Sequence, residues 1–133
     1  MRKIIALIAL LHAAPLARDH MDRALVFAPV PNPEPTSTGV ASWYGPGFDG
    51  RLTASGAVFH ADALTAAHRT LPFGTIVAVH DVDSGRIVEV TITDRGPFVG
   101  NRIIDLSQGA AQELGMTDKG IARVALFVKD ARL

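Results

Sequence analysis

The chain contains no cysteine. That excludes a disulfide framework, and it leaves no lipobox cysteine to carry an acyl anchor to a membrane. A surplus of either charge is missing as well. Thirteen Lys plus Arg meet 13 Asp plus Glu, for a formal net charge of +0. A nucleic-acid partner is therefore not expected, because phosphate binding leaves a basic excess on a domain. No long hydrophobic run is present at the N-terminus either: the apolar stretch from Ile4 to Leu11 is far below the roughly 20 residues that a membrane-spanning helix needs.

What is present organises the 133 residues into one globular domain and a leader. "MRKIIALIALLHAAPLA" opens with Arg2 and Lys3, continues through Ile4 to Leu11 and ends in small residues. That order is the one a secretory signal uses, so residues 1–18 are expected to be a signal peptide and the protein to be exported. No clean Ala-x-Ala triplet precedes Asp19 to mark the cleavage site, and the competing reading is an amphipathic or core helix. Residues 29–38, "PVPNPEPTST", carry four prolines in ten. Proline-dense chain stays extended and packs poorly, so 19–38 reads as a linker and the folded domain as 39–130.

Within the domain the periodicity is mostly that of strands. "GVASWYG" (39–45) sets Val40, Ser42 and Tyr44 on one face against Ala41 and Trp43 on the other. "TIVAVHDV" (75–82) and "RIVEVTITD" (86–94) are β-branched runs joined by Asp83-Ser84-Gly85, which predicts a hairpin. "IARVALFVKD" (121–130) is a last strand, with Ile121, Val124, Leu126 and Val128 available for burial. Leu71 to Gly74, "LPFG", reads as a turn. Only "SQGAAQELG" (107–115) reads as a helix, with Ser107 as N-cap, Ala110, Ala111 and Leu114 as its buried stripe and Gly115 as C-cap. Short strands, Gly-rich turns and one helix predict a small closed β-barrel.

Three blocks carry a resemblance: "GVASWYGPGFDGRLTASG", "ALTAAHRTLPFGTIVAV" and "TDRGPFVGNRIIDLSQGAAQELGM". Together they resemble the RlpA-like family of double-psi β-barrels, relatives of the expansin and barwin domains, across nearly all of 39–129. The resemblance implies a mainly β fold, a six-stranded double-psi barrel with one or two short helices and a groove across one face. It also implies lytic transglycosylase activity on peptidoglycan, cutting MurNAc–GlcNAc bonds in glycan strands that lack stem peptides and leaving a 1,6-anhydro end. No cofactor is implied. The expected partner is the glycan strand, with division-septum proteins as candidate company in the periplasm or cell envelope. Many family members append a glycan-binding repeat domain, and with Leu133 the last residue none is expected here.

Such chemistry explains why "TDRGP" puts a carboxylate at a strand end. The sugar's own 6-hydroxyl is the nucleophile, so one carboxyl serves first as acid toward the leaving oxygen and then as base toward that hydroxyl. Asp94 is the catalytic candidate, and capping of the turn is the competing structural reading. A close Arg95 would oppose the raised pKa that a general acid needs, unless its guanidinium turns to solvent or pairs with Asp105. His68, the histidine of "TAAHRT", is the second catalytic candidate by resemblance, against a structural histidine bonded to backbone. Tyr44, Trp43, Arg95 and His60 are the candidate substrate-binding residues. Trp43 and Tyr44 point to opposite faces, and Tyr44 is preferred as the sugar platform in the groove. Arg102 and Asp105 read as a rim ion pair or helix-entry cap.

One block departs from the family. Active members read Gly-Glu-x-Tyr/Phe-Asp before the "TAAH" stretch; here "SGAVFHADALTAAH" places Ala57 at the Glu and His60 at the Asp. The loss opens two readings: an enzyme that relies on Asp94 and His68, or a domain that binds peptidoglycan, or loosens it as expansins do, without cutting. His60, His68 and Asp94 make a poor metal set, and no metal is expected.

Overall fold

The computed structural model describes residues 33–45 and 47–130. The expected signal peptide, 1–18, lies outside these residues, as does most of the linker. Six strands and one helix follow in order: β1 (Ser37–Trp43), β2 (Thr65–Ala67), β3 (Ile76–Asp81), β4 (Ile87–Asp94), β5 (Arg102–Leu106), α1 (Gln108–Leu114) and β6 (Ala122–Asp130). They close into a barrel in the order β1-β5-β2-β4-β3-β6. Two pairs, β1 with β5 and β2 with β4, run parallel, and the rest are antiparallel. Closure removes free sheet edges, which a cysteine-free domain would otherwise have to shield.

The interior follows the period of two. Val88, Val90 and Ile92 of β4, Val77 and Val79 of β3, Ile104 and Leu106 of β5 and Val124 and Leu126 of β6 are all buried. The expected hairpin forms, with β3 and β4 paired from Ile76↔Thr91 to His80↔Ile87. Its turn is held by the buried Asp81, whose Oδ1 accepts from the N–H of Asp83 (2.9 Å) and Ser84 (3.1 Å). Helix α1 buries Ala110, Ala111 and Leu114, the stripe read from sequence, in the same core.

Its caps form as expected. Ser107 Oγ accepts from Ala110 N–H, and Gly115 takes the left-handed conformation at φ 75°. Two strands were not read from the residues. β2 has three residues and β5 five, too short for alternation to register. Ile121 corrects another expectation: it precedes β6 and is 48% exposed, because the inward row of that strand begins at Ala122. β1 starts at Ser37, where Thr36 N–H donates to Leu126 (2.7 Å), slightly ahead of the Gly39 start expected.

Candidate functional site

A single row of residues crosses four strands on the outer face of the barrel. Asp105 of β5 stands opposite Ser42 of β1 on one side and Ala67 of β2 on the other. Ala67 in turn stands opposite Asp94 of β4. The last pairing depends on a register slip between Ala66 and Ala67. Ala66 pairs with Ile92, so a regular ladder would bring Thr93 to Ala67; the slip brings Asp94 instead. Irregularities of this kind re-aim a side chain without breaking the sheet. Strand β2, with Ala67 in this row, lies between the two carboxyl-bearing strands.

Tyr44 follows two residues after Ser42 and shares its face. Its hydroxyl donates to Asp94 Oδ2 at 3.1 Å. The other oxygen, Oδ1, accepts from two backbone groups, Ala54 N–H at 3.0 Å and Arg95 N–H at 2.9 Å. Burial, then the charges of Asp94 and Asp105, push the Tyr44 phenol far up, so the hydroxyl keeps its proton and remains a donor. The Tyr44 ring packs against Phe48 (5.6 Å between centroids) and edge-on to Phe59 (5.1 Å). These rings, with Arg51, Leu52, Thr53 and Asp94, line a groove of about 230 Å³.

Arg95 turns its guanidinium away from the carboxylate beside it. The guanidinium donates to the carbonyls of His68 (3.2 Å) and Leu71 (2.8 Å) and lies 3.9 Å over the ring of Phe73. Neither solvent nor Asp105 takes it; backbone oxygens do. The role is to pin the 68–73 turn against the strand end.

His68 is tied to Asp94 through the main chain, its N–H donating to the Asp94 carbonyl at 3.1 Å. Its ring nitrogen Nδ1 accepts from the N–H groups of Thr70 and Leu71, both at 3.1 Å. The proton of the neutral ring therefore sits on Nε2. Burial, followed by the charges of Arg95 and Arg69, lowers its pKa and favours that neutral form.

Asp105 is the residue that sequence reading placed elsewhere. It forms no ion pair with Arg102 among the described residues, and the helix cap is Ser107. Instead Ser42 Oγ donates to its Oδ1 at 3.2 Å. Burial raises its pKa, Ser42 and Arg102 oppose the rise, and the charge of Asp94 adds to it. The signal was the parity of "RIIDL", in which Ile104 and Leu106 face inward and Asp105 outward; it becomes readable once that segment is known to be a strand.

A family model described as a lytic transglycolase matches residues 36–126. The chain belongs to the lytic transglycolase family. The domain is 59% identical over 90 residues to the probable endolytic peptidoglycan transglycosylase RlpA of Synechocystis sp., and 54% identical over 93 residues to the endolytic peptidoglycan transglycosylase RlpA of Campylobacter jejuni. Those matches cover 68% and 70% of this chain but only 28% and 34% of the relatives' own lengths. The expansin of Clavibacter michiganensis has the same fold, with a TM-score of 0.58 at 21% identity over 73% of this chain and 52% of that one. The fold expected from the sequence is thus the one found.

Within this lytic transglycolase domain the remaining candidates lie apart from the Asp94 group. Trp43 is partly buried and packs against the core, the face opposite Tyr44. His60 is exposed on the loop before β2, where its carbonyl accepts from Ala63 N–H (3.1 Å). Ala57 is exposed on the hairpin that Leu52 and Val58 bridge. Among the described residues no group of three or more His, Cys, Asp or Glu gathers to hold a metal.

Proposed function

We propose that this chain is an exported lytic transglycosylase that cleaves peptidoglycan glycan strands between N-acetylmuramic acid and N-acetylglucosamine, with Asp94 as its acid and base. The observation that carries the reading is the asymmetry of the Asp94 carboxyl. Oδ1 has both lone pairs engaged by backbone N–H groups, whereas Oδ2 has one donor, Tyr44, and one lone pair open to the groove. Proton exchange with a ligand therefore runs through Oδ2.

The reaction then needs only one carboxyl. Asp94 gives its proton to the glycosidic oxygen as the bond to C1 breaks. The 6-hydroxyl of the same sugar attacks C1, closes the 1,6-anhydro ring and returns its proton to Oδ2. Tyr44 holds the carboxyl in place throughout, because its phenol does not ionise. His68 fixes the strand end through its backbone and offers Nε2–H as a donor to sugar hydroxyls. Asp105, across β2 from Asp94, is a second carboxyl in the same row. Tyr44, Phe48 and Phe59 offer ring faces and edges for the apolar faces of the sugars. Export through the segment 1–18 would deliver the domain to the periplasm or cell envelope, where division-septum proteins are the expected company.

The test is release of soluble glycan from peptide-free sacculi by the full chain and by Asp94→Asn. Loss of a positioned acid and base lowers the rate by about a hundredfold or more. Sedimentation with sacculi is expected to survive, because the amide keeps the acceptor for Ala54 and Arg95. The second reading, glycan binding without cleavage, is favoured by Ala57 and His60 standing where active relatives carry carboxylates. Binding by both proteins with release by neither would establish it.

A further inference from the structure

Two large apolar side chains stand out from the loop that follows Asp94: Phe98 is 76% exposed and Val99 57%. The loop is not slack. Arg69 donates to the carbonyls of Pro97 (2.6 Å), Gly100 (3.2 Å) and Arg102 (2.9 Å). Arg102 N–H donates to the Val99 carbonyl (3.1 Å) and Val40 N–H to that of Asn101 (3.3 Å). The Phe98 ring rests on the turn itself, since the place a Cβ would take on Gly96 lies 3.6 Å from its Cε2. A bare aromatic ring is thus held in one position, and it takes no part in the core.

Strand directions say where that position is. In the row of Ser42, Asp105, Ala67 and Asp94, β1 runs parallel to β5, β2 runs antiparallel to β5, and β4 runs parallel to β2. The chain therefore leaves Ser42 and Asp94 in opposite directions. Tyr44 follows Ser42 into the groove. The loop of Phe98 follows Asp94 on the other side of the row, and His68, whose Nε2 carries the ring proton, follows Ala67 the same way. Four residues of chain keep Phe98 within about 14 Å of Asp94. Two side chains offer far less apolar area than the roughly 800 Å² that each partner of a stable protein complex buries. One ring does match the apolar face of one pyranose.

We propose that Phe98 is the platform of a distal sugar subsite, on which a glycan that fills the Tyr44 groove and passes Asp94 stacks a further ring. The inference rests on the peptidoglycan reading above. Arg69 is then a positioning residue, because its three hydrogen bonds set the loop before any ligand arrives and spare the ordering cost of binding. A strand too short to pass Asp94 gains nothing from Phe98, so the subsite makes affinity depend on strand length.

Calorimetric titration of the full chain carrying Asp94→Asn, which consumes no glycan, tests it with soluble peptide-free strands of graded length. Adding Phe98→Ala is expected to weaken the longest strands about three- to tenfold, the range of one aromatic contact. The shortest strand whose binding is measurable is expected to be unaffected. Phe98→Trp is expected to restore the loss, and Phe98→Leu, apolar but without a ring face, to leave it in place. Because the side chain is exposed, the melting temperature is expected to stay the same in all three variants. Unchanged binding at every length, an equal loss at every length, or full rescue by Phe98→Leu overturns the inference and leaves the peptidoglycan reading standing. Binding of no strand by any of the proteins overturns both.

Discussion

At the scale of single residues, the site is a set of hydrogen bonds arranged around one carboxyl, with a second carboxyl one strand away. Asp94 was singled out by the resemblance; on the residues alone its place at a strand end read as well as a turn cap, and its Oδ1 does accept from backbone N–H groups. Tyr44 was legible from alternation with Trp43. Asp105 was not, since an aspartate two residues before a helix-capping serine reads as part of that cap. Its burial has a consequence for stability. The folded state holds the Asp105 proton more tightly than the unfolded chain, so the stability it contributes is present below 3.8 and is lost as pH rises through the raised value. Asp105→Asn keeps an acceptor for Ser42 and removes the buried charge. The variant is expected to melt above the wild type at neutral pH, by a few degrees, with the gap closing in acid below the ordinary carboxylate value. Thermal melts at the two pH values check this.

Among the elements, those with a strong local signal were the ones read correctly. The helix carried both caps and a three-residue apolar stripe, and β3 and β4 carried a turn triplet between two β-branched runs. β2 and β5 carried neither, because they owe their conformation to partners distant in sequence. Yet these two strands build the site: β2 supplies the slip that aims Asp94, and β5 supplies Asp105. Ser107 joins them to the helix. Its buried Oγ accepts from Ala110 and Thr65 N–H groups and donates to the Ala63 carbonyl. Ser107→Ala removes a cap and leaves buried backbone groups unpaired, for a loss of about 2 kcal/mol. Denaturant unfolding is expected to show it as a lower midpoint with an unchanged slope.

For the whole molecule, closure of the barrel through β1 and β6 lets one face carry a four-strand row from Asp94 to Ser42 with no disulfide to brace it. Strand content and the hairpin were derivable from residue patterns; the strand order was not, because parallel pairing leaves no trace in local periodicity. The order came within reach only through three blocks of resemblance. Ala57 and His60, which depart from the pattern the resemblance implies, then become the sharpest question about the molecule, since the Asp94 row is intact without them.

The most direct measurement of that claim is the chemistry of the new chain end. Peptide-free glycan would be digested by the full chain in water enriched in heavy oxygen, and the products weighed by mass spectrometry. A one-carboxyl transglycosylase leaves 1,6-anhydro ends that carry no solvent oxygen, and that is the result expected. Reducing ends that have taken up the heavy isotope would mean that water, not the sugar's own hydroxyl, attacked C1, and would contradict the role given to Asp94.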